Sequence, residues 1–280
     1  MRVDIICPLY NAQNYIELLN KSLINQKKVK INKIIYILTE GKDDTEKILN
    51  NKKIYYQKIV KKEFSHSLVR EKAAMASDSD ILIFITQDIV IEDELWLYKL
   101  IKGIINGECE ASFSRQITKY NNIEKYTREK NYPEKSYIVT KKDIKNIGLR
   151  TFFFSDAASA IKTSIFKKLK GYDNKNLPIS EDMYIAYKII MNGYRIKYES
   201  NSVIYHSHKF TLKELYNRYK LTGQFFKQNS YLDEYGTTGT GASLAKYILK
   251  RILQEKRFNL LFRYPFDMAA RFIGMKVGKR

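Results

Sequence analysis

Residues 81–88 read Ile-Leu-Ile-Phe-Ile-Thr-Gln-Asp, five consecutive apolar residues that run straight into Thr86, Gln87 and Asp88. A short β-branched and aromatic run stopped by polar residues is the pattern of a strand buried on both faces of a sheet. The flanks repeat it. Val3 to Cys7 reads as a second buried strand ended by Pro8, and Ile34 to Leu38 as a third. Between them Tyr15 to Gln26 carries apolar residues at helical spacing, and a turn at Glu40 to Asp44 leads into a helix through Ile48 and Leu49. Ser67 to Ala76 reads as a helix, Asp93 opens another that runs to about Ile105, and Cys109 to Phe113 reads as a strand. Strands alternating with helices predict an α/β fold of parallel βαβ units, a nucleotide-binding type of sheet flanked by helices. Ligands of such sheets gather outside the carboxyl ends of the strands. Here those ends carry Pro8-Leu9-Tyr10-Asn11, Thr39-Glu40-Gly41 and Thr86-Gln87-Asp88.

Farther along, Arg115 to Leu149 is polar and without period, with a turn at Tyr132-Pro133. Ser159 to Leu169 and Met183 to Met191 read as helices, and Ile196 to Tyr198 and Val203 to Tyr205 as short strands. After Ser207 the chain turns helical and basic, and Gly236 to Gly241 divides this tail in two. The expected organisation is an α/β domain over 1–208, with halves 1–115 and 116–208, and a helical extension over 209–280.

With 280 residues, 44% hydrophobic and 29% charged, the chain can bury a sizeable core. Two cysteines, Cys7 and Cys109, make no disulfide framework and point to a reducing, cytoplasmic setting. Asp4 interrupts the first apolar stretch, so no secretory leader is expected. A run of five, as at Ile81 to Ile85, is far short of the roughly 20 residues of a spanning helix. The net charge of +20 rests on 38 lysines among 50 basic residues, a bias spread over the whole chain. It favours anionic partners such as nucleoside diphosphates or an anionic membrane surface. Zinc-finger spacing, aromatic RNA-binding patterns and arginine-rich tracts are missing, so no nucleic acid is expected.

Three constellations bear chemistry. Asp88, directly after a buried strand, is either a turn residue or a carboxylate for a divalent metal at a diphosphate. Glu181-Asp182 opens a helix, where acidic residues either answer the helix dipole or hold a general base. His206-Ser207-His208 ends a strand, and two histidines at i, i+2 on an extended segment face the same way, as metal or phosphate contacts would. His66 with Arg70 at a helix start is either surface decoration or an anion contact. Gly41 to Thr45 reads as a turn and cap, and the Gly236 to Gly241 stretch lacks a phosphate-loop lysine.

In order, these pieces resemble the family 2 glycosyltransferases of GT-A fold, within them the rhamnosyltransferase-like branch, which implies a parallel or mixed nucleotide-binding sheet flanked by helices and a helical, basic C-terminal extension. The resemblance runs through Pro8 to Asn11, Phe64-Ser65-His66 with Arg70, Phe84 to Asp88, Phe113 to Gln116 and Arg128 to Pro133. It continues through Phe154 to Ala157, Gly171-Tyr172, Glu181-Asp182-Met183, His206 to His208 and Ala269 to Gly274. It implies that Pro8, Tyr10, Asn11, Thr39, Arg70, Gln87 and Arg115 meet the donor. It implies further that Asp88 with His206 or His208 holds Mg2+ or Mn2+, that Asp182 is the catalytic base, and that Ser155, Asp156 and Glu181 contact acceptor or sugar. Thr86 departs from the Asp-x-Asp pattern, and Thr39 stands where many relatives place an aspartate that reads the pyrimidine.

The implied reaction is one inverting displacement from a nucleotide sugar, dTDP-rhamnose first, onto a saccharide that is lipid-linked and destined for the bacterial cell surface. A basic surround would keep both carboxylates ionised. The tail, rich in Phe, Leu, Ile, Tyr, Lys and Arg, suits either an anionic membrane face or a cap on the catalytic domain. Two rivals stand beside this reading: a UDP-sugar hexosyl or N-acetylhexosaminyl transferase, and a non-catalytic binder of polyanions or saccharides.

Overall fold

The computed structural model describes residues 1–280, apart from the side chains of Thr237, Thr238 and Thr240. The chain begins β1 (Arg2–Leu9), α1 (Ile16–Ile24), β2 (Lys30–Thr39), α2 (Thr45–Asn51), β3 (Tyr56–Ile59) and α3 (His66–Ala76). It continues with β4 (Ile81–Ile85), β5 (Ile89–Val90), α4 (Trp96–Ile105), β6 (Ala111–Ile117), α5 (Ile123–Asn131) and β7 (Tyr137–Val139). Then follow α6 (Ile144–Ile147), β8 (Ala158–Lys162), α7 (Thr163–Lys168), α8 (Glu181–Met191) and β9 (Ile196–His206). Helices α9 (Leu212–Gln228), α10 (Thr237–Gln254) and α11 (Phe258–Lys279) close the chain.

These elements form two units. The first comprises residues 1–116, 134–141 and 152–206; the second comprises 117–133, 142–151 and 207–280. The first is built on one sheet of order β3-β2-β1-β4-β8-β6-β9-β5, with β7 paired to β9. Strands β1 to β4 are mutually parallel. β8 runs antiparallel to both β4 and β6, and β5 and β7 run antiparallel to β9, so the sheet is mixed. All five residues of β4 are buried, with β1 on one side and β8 on the other. At about 1.5–3 kcal/mol for each large apolar side chain, this central strand and the faces packed on it supply much of the stability.

Several sequence expectations need correction. Pro8 does not end β1 but lies inside it. The pairing of β1 with β4 stops at Ile6, so Pro8 falls where that side of the sheet asks for no donor. Residues 159–169 are not one helix. Ala158–Lys162 is the central strand β8, and only Thr163–Lys168 is helical. Small Ala and Ser residues read as helix formers, but flanked by β4 and β6 they serve as strand, and tertiary packing overrides propensity. The two short strands after residue 196 are one strand of 11 residues. Asp93 does not open α4 itself: it accepts from the Leu95 amide at 2.9 Å in the turn before Trp96. The aperiodic middle contains α5, β7 and α6.

In the second unit α9 and α11 lie against each other, and α5 packs on α10. Ile248 and Ile252 of α10 bury with Ile123, Tyr126 and Leu260 in a small core. The break expected in the tail falls at the start of that stretch: Gly236, left-handed at φ 85°, precedes α10, whose first turn is the backbone of Thr237 to Gly241, and the threonine side chains there lie outside the described residues. No helix of the described residues is long and apolar enough to cross a membrane.

Candidate active site

The end of β4 delivers Asp88. Three residues, Thr86 to Asp88, carry the chain from Ile85 into β5, and Ile89 pairs antiparallel with His206 at the end of β9. Asp88 therefore arrives beside that histidine, its Oδ2 3.3 Å from His206 Nε2. The other ring nitrogen, Nδ1, lies 2.9 Å from Gln116 Oε1, and Gln116 Nε2 donates to Ser155 Oγ at 2.7 Å. Strand alternation explains Gln116. On β6, Ser112, Ser114 and Gln116 share a face. Ser112 donates to the Leu100 carbonyl at 2.6 Å, and Ser114 accepts from the Trp96 indole at 3.0 Å. Gln116 is the next residue on that face and meets the ring.

This geometry sets the histidine's tautomer. An amide oxygen can only accept, so Nδ1 carries the proton and Nε2 turns its lone pair towards the Asp88 carboxylate. Two acceptors 3.3 Å apart call for positive charge between them: a second ring proton or a metal ion. A carboxylate oxygen beside an imidazole nitrogen whose far side is held by a carbonyl is the donor set of a divalent transition metal. Asp88 and His206 thus fit the metal implied for them. His208 belongs to the second unit, where its ring stacks on Phe210 at 4.9 Å and its carbonyl accepts from Asn122 at 2.9 Å.

The other strand ends are laced together. Gln87 and Tyr10 exchange two hydrogen bonds, Tyr10 N to Gln87 Oε1 at 2.7 Å and Gln87 Nε2 to Tyr10 O at 2.8 Å. Asn11, left-handed at φ 49°, accepts from the Lys42 amide at 3.1 Å. Asp43 receives the Gln13 amide at 3.0 Å and the Thr45 hydroxyl at 2.7 Å, so the 41–45 turn is a structural latch on the loop that follows β1. Thr39 at the end of β2 is buried, and its hydroxyl and that of Thr86 have no hydrogen-bond partner among the described residues. Arg115, on the opposite face of β6 from Gln116, pairs with Glu134 at 3.2 Å. Pro8 lies within β1 behind Tyr10.

A second cluster gathers at the start of α8. Arg70, 1% exposed, donates to Glu181 Oε1 at 2.8 Å and reaches the Asp156 carbonyl at 3.4 Å. Its NH1 also lies 3.3 Å from His66 Nδ1, which makes His66 part of the arginine's setting. Asp156 is buried, with its oxygens taken by Ser159 at 2.7 Å and Tyr172 at 2.7 Å. Asp182 is part-buried, and one oxygen accepts from its neighbour's amide, Met183 N, at 2.7 Å. Burial first, and then the charges of Glu181 and Asp156, push the Asp182 carboxyl well above the usual aspartate range. Burial likewise raises Asp156, partly offset by Arg70. The surround of Asp182 is thus acidic, contrary to the basic one expected, with Arg70 the cation inside it. Ser180, just before Glu181, holds φ at 62°, a strained corner of the kind found at working sites.

Ser155 and Asp156 join the clusters, for the first reaches His206 through Gln116 and the second lies on Arg70 and Tyr172. Gln116, Tyr172 and Glu71 were not singled out by role in the sequence. Glu71 receives the amides of Tyr172 and Asn174, the latter at 3.0 Å, and so fixes the left-handed loop at 170–174. For Gln116 the signal was present in the alternation Ser112, Ser114, Gln116; for Tyr172 and Glu71 there was none.

The model of the family described as "Glycosyl transferase family 2" matches residues 4–170. "O-antigen chain rhamnosyltransferase RfbN" of Salmonella typhimurium is 31% identical, covering 100% of this chain and 90% of the relative. "O-antigen chain rhamnosyltransferase WbaN" of Salmonella anatum is 31% identical over 88% of this chain and 79% of its own. Among solved structures, mannosyltransferase PcManGT of Pyrobaculum calidifontis, in complex with GDP-Man and Mn2+, superposes at TM-score 0.67. It shares 14% identity and covers 99% of this chain and 86% of its own. S. aureus TarS 1-349 in complex with UDP-GlcNAc reaches 0.57 with 15% identity, over 99% and 91%. At such identities the superpositions establish the GT-A-like fold.

Proposed function

We propose that this chain, which belongs to glycosyl transferase family 2, moves rhamnose from dTDP-rhamnose to a lipid-linked saccharide and inverts the anomeric centre. Glycosyl transfer follows from the family and from both rhamnosyltransferase relatives. The relatives' names support the sugar and a saccharide acceptor, and an O-antigen chain is a polysaccharide built for the cell surface.

The observation that carries the reading is the Asp88–His206 pair at the strand ends, with the His206 tautomer held by Gln116. Asp88 and His206 would hold a divalent ion. His208 stands two residues further along the chain, about 7 Å between Cα atoms on an extended segment. A bound ion would supply Lewis-acid stabilisation of the departing diphosphate. The mixed oxygen and nitrogen donors favour Mn2+ over Mg2+.

Asp182 takes the proton of the acceptor hydroxyl as that oxygen attacks the anomeric carbon. Its raised proton affinity suits a general base, which works best with a pKa near the operating pH. Arg70 occupies Glu181, leaving Asp182 as the carboxylate for the substrate. Tyr10, Asn11, Thr39, Gln87 and Arg115 are assigned to the donor, and the unpartnered hydroxyls of Thr39 and Thr86 are available to it. Ser155 is assigned to the sugar or acceptor, whereas Asp156 and Glu181, already engaged, position Arg70.

The test is transfer by the purified chain from dTDP-rhamnose and from common UDP and GDP sugars to a lipid-linked saccharide, with Mn2+ or Mg2+. Turnover of dTDP-rhamnose that Asp182→Asn and Asp88→Ala abolish is the expected result. Turnover of a UDP-hexose alone would replace the sugar. Activity that survives both substitutions would remove the mechanism.

A further inference from the structure

Helix α11 exposes a face that no described residue of its own unit covers. Phe258, Phe262, Phe266, Phe272 and Ile273 are all exposed, Phe262 at 82% and the others at 51–66%. With 100° per residue, these five and the exposed Pro265 fall within about 120° of arc over about 22 Å of helix. No charged residue lies in that arc between Phe258 and Ile273. The opposite side, through Leu260, Asp267, Arg271, Gly274 and Gly278, is the one α11 buries. A surface of clustered phenylalanines is costly in water and marks an interaction site.

Its ends are cationic. Lys256 and Arg257 precede Phe258, and Lys276, exposed, continues the same arc beyond Ile273. An apolar stripe with basic ends on a helix too polar to span a bilayer is the form of an element that lies in a membrane interface. Charge decides between the two plausible occupants. Pairing this face with a second copy would bring together two chains of net charge +20, whereas an anionic leaflet is attracted to the same field.

We infer that the Phe258–Ile273 face of α11 docks in the surface of an anionic lipid bilayer. The docking deepens the proposed function, since a lipid-linked acceptor presents its saccharide at that surface, but it is measured without donor or acceptor.

The experiment uses the full chain with vesicles of phosphatidylethanolamine and phosphatidylglycerol, and phosphatidylcholine vesicles as control. The expected result is co-sedimentation with the anionic vesicles and a loss of at least about tenfold in binding for Phe262→Ser/Phe266→Ser. Both positions are exposed, so the double variant should keep the wild-type melting temperature. Phe262→Trp should shift its emission to the blue on the same vesicles and be quenched by brominated lipid; Trp96 is buried and serves as a constant background. Vesicle binding equal in wild type and double variant would overturn the proposal, as would absence of binding by the wild type. A wild-type dimer that the double variant converts to monomer would also overturn it and assign the face to self-association. Transfer to a detergent-solubilised acceptor should be unchanged in the double variant, so failure of the catalytic reading and failure of the docking reading give different results.

Discussion

Gln116 Oε1 lies 2.9 Å from His206 Nδ1, and that contact fixes which nitrogen of the ring faces Asp88. An amide does not titrate, so it holds the tautomer across the working pH range, and its own NH2 is anchored on Ser155. Loss of such an outer partner typically costs 10–100-fold in metal affinity. Gln116→Leu should therefore weaken Mn2+ binding by about that factor, read from the free Mn2+ signal in electron paramagnetic resonance. Gln116→Glu keeps an acceptor for Nδ1 and should restore most of the affinity. Equal Mn2+ binding by Gln116→Leu and wild type would remove Gln116 from the site.

Asp182 carries a sign that can be worked out. Its folded pKa is raised, so between the unfolded value and the folded one the native state holds a proton that the unfolded chain has released. Stability from this group is present below the unfolded pKa and is lost as pH rises through the folded one. Asp182→Asn should thus raise the melting temperature at neutral pH, and the gain should shrink towards zero as pH falls to about 4. The same variant should bind donor, by calorimetry, and fail to turn it over. In the wild type the acid limb of kcat should fall above the usual aspartate range. A variant less stable than wild type at pH 7 would contradict the buried, acidic setting.

Arg70 is the cation within three carboxylates, and its removal strands two of them. Arg70→Leu should cost about 3–5 kcal/mol, since it leaves the buried Glu181 and Asp156 without their counter-charge. Arg70→Lys should recover little, because one ammonium cannot span Glu181 and the Asp156 carbonyl as the planar guanidinium does. Tyr172→Phe removes one donor from Asp156 and should cost about 1–3 kcal/mol. Urea denaturation ranks the three. A Tyr172→Phe loss as large as that of Arg70→Leu would mean that the phenol, not the arginine, holds the cluster.

The parallel half of the sheet was legible because its strands are runs such as Ile81–Ile85 and the helices between them keep their period. β8 was not. β8 is Ala-Ser-Ala-Ile-Lys, whose small side chains exist to fit between β4 and β6, a demand invisible without the partners. Asp88 and His206 were each singled out in the sequence, one from its place after a strand and the other from its spacing to His208. What brings them together is the two-residue strand β5, too short to leave a pattern. Residues 117–133 could not be assigned to the second unit for a similar reason. α5 shows its apolar face only against Ile248 and Ile252, more than a hundred residues away.

The helix pair of the second unit gives two glycine substitutions of opposite sign. On α11, a Cβ at Gly278 would strike the Lys220 carbonyl of α9 and also approach Gln224 N at 2.9 Å; one at Gly274 would lie 2.5 Å from the Tyr216 carbonyl. The backbones touch there, and backbone cannot step aside as a side chain can. Gly278→Ala should therefore separate α9 from α11 and cost about 1–3 kcal/mol. Gly241 lies in α10 with open space where its Cβ would go. Gly241→Ala meets nothing and gains helix propensity, so it should stabilise by about 0.5–1 kcal/mol. Thermal unfolding of both variants beside wild type decides. If Gly278→Ala were neutral, the close backbone contact of α9 and α11 would be wrong, and with it the inward face that leaves Phe262 and Phe266 pointing out.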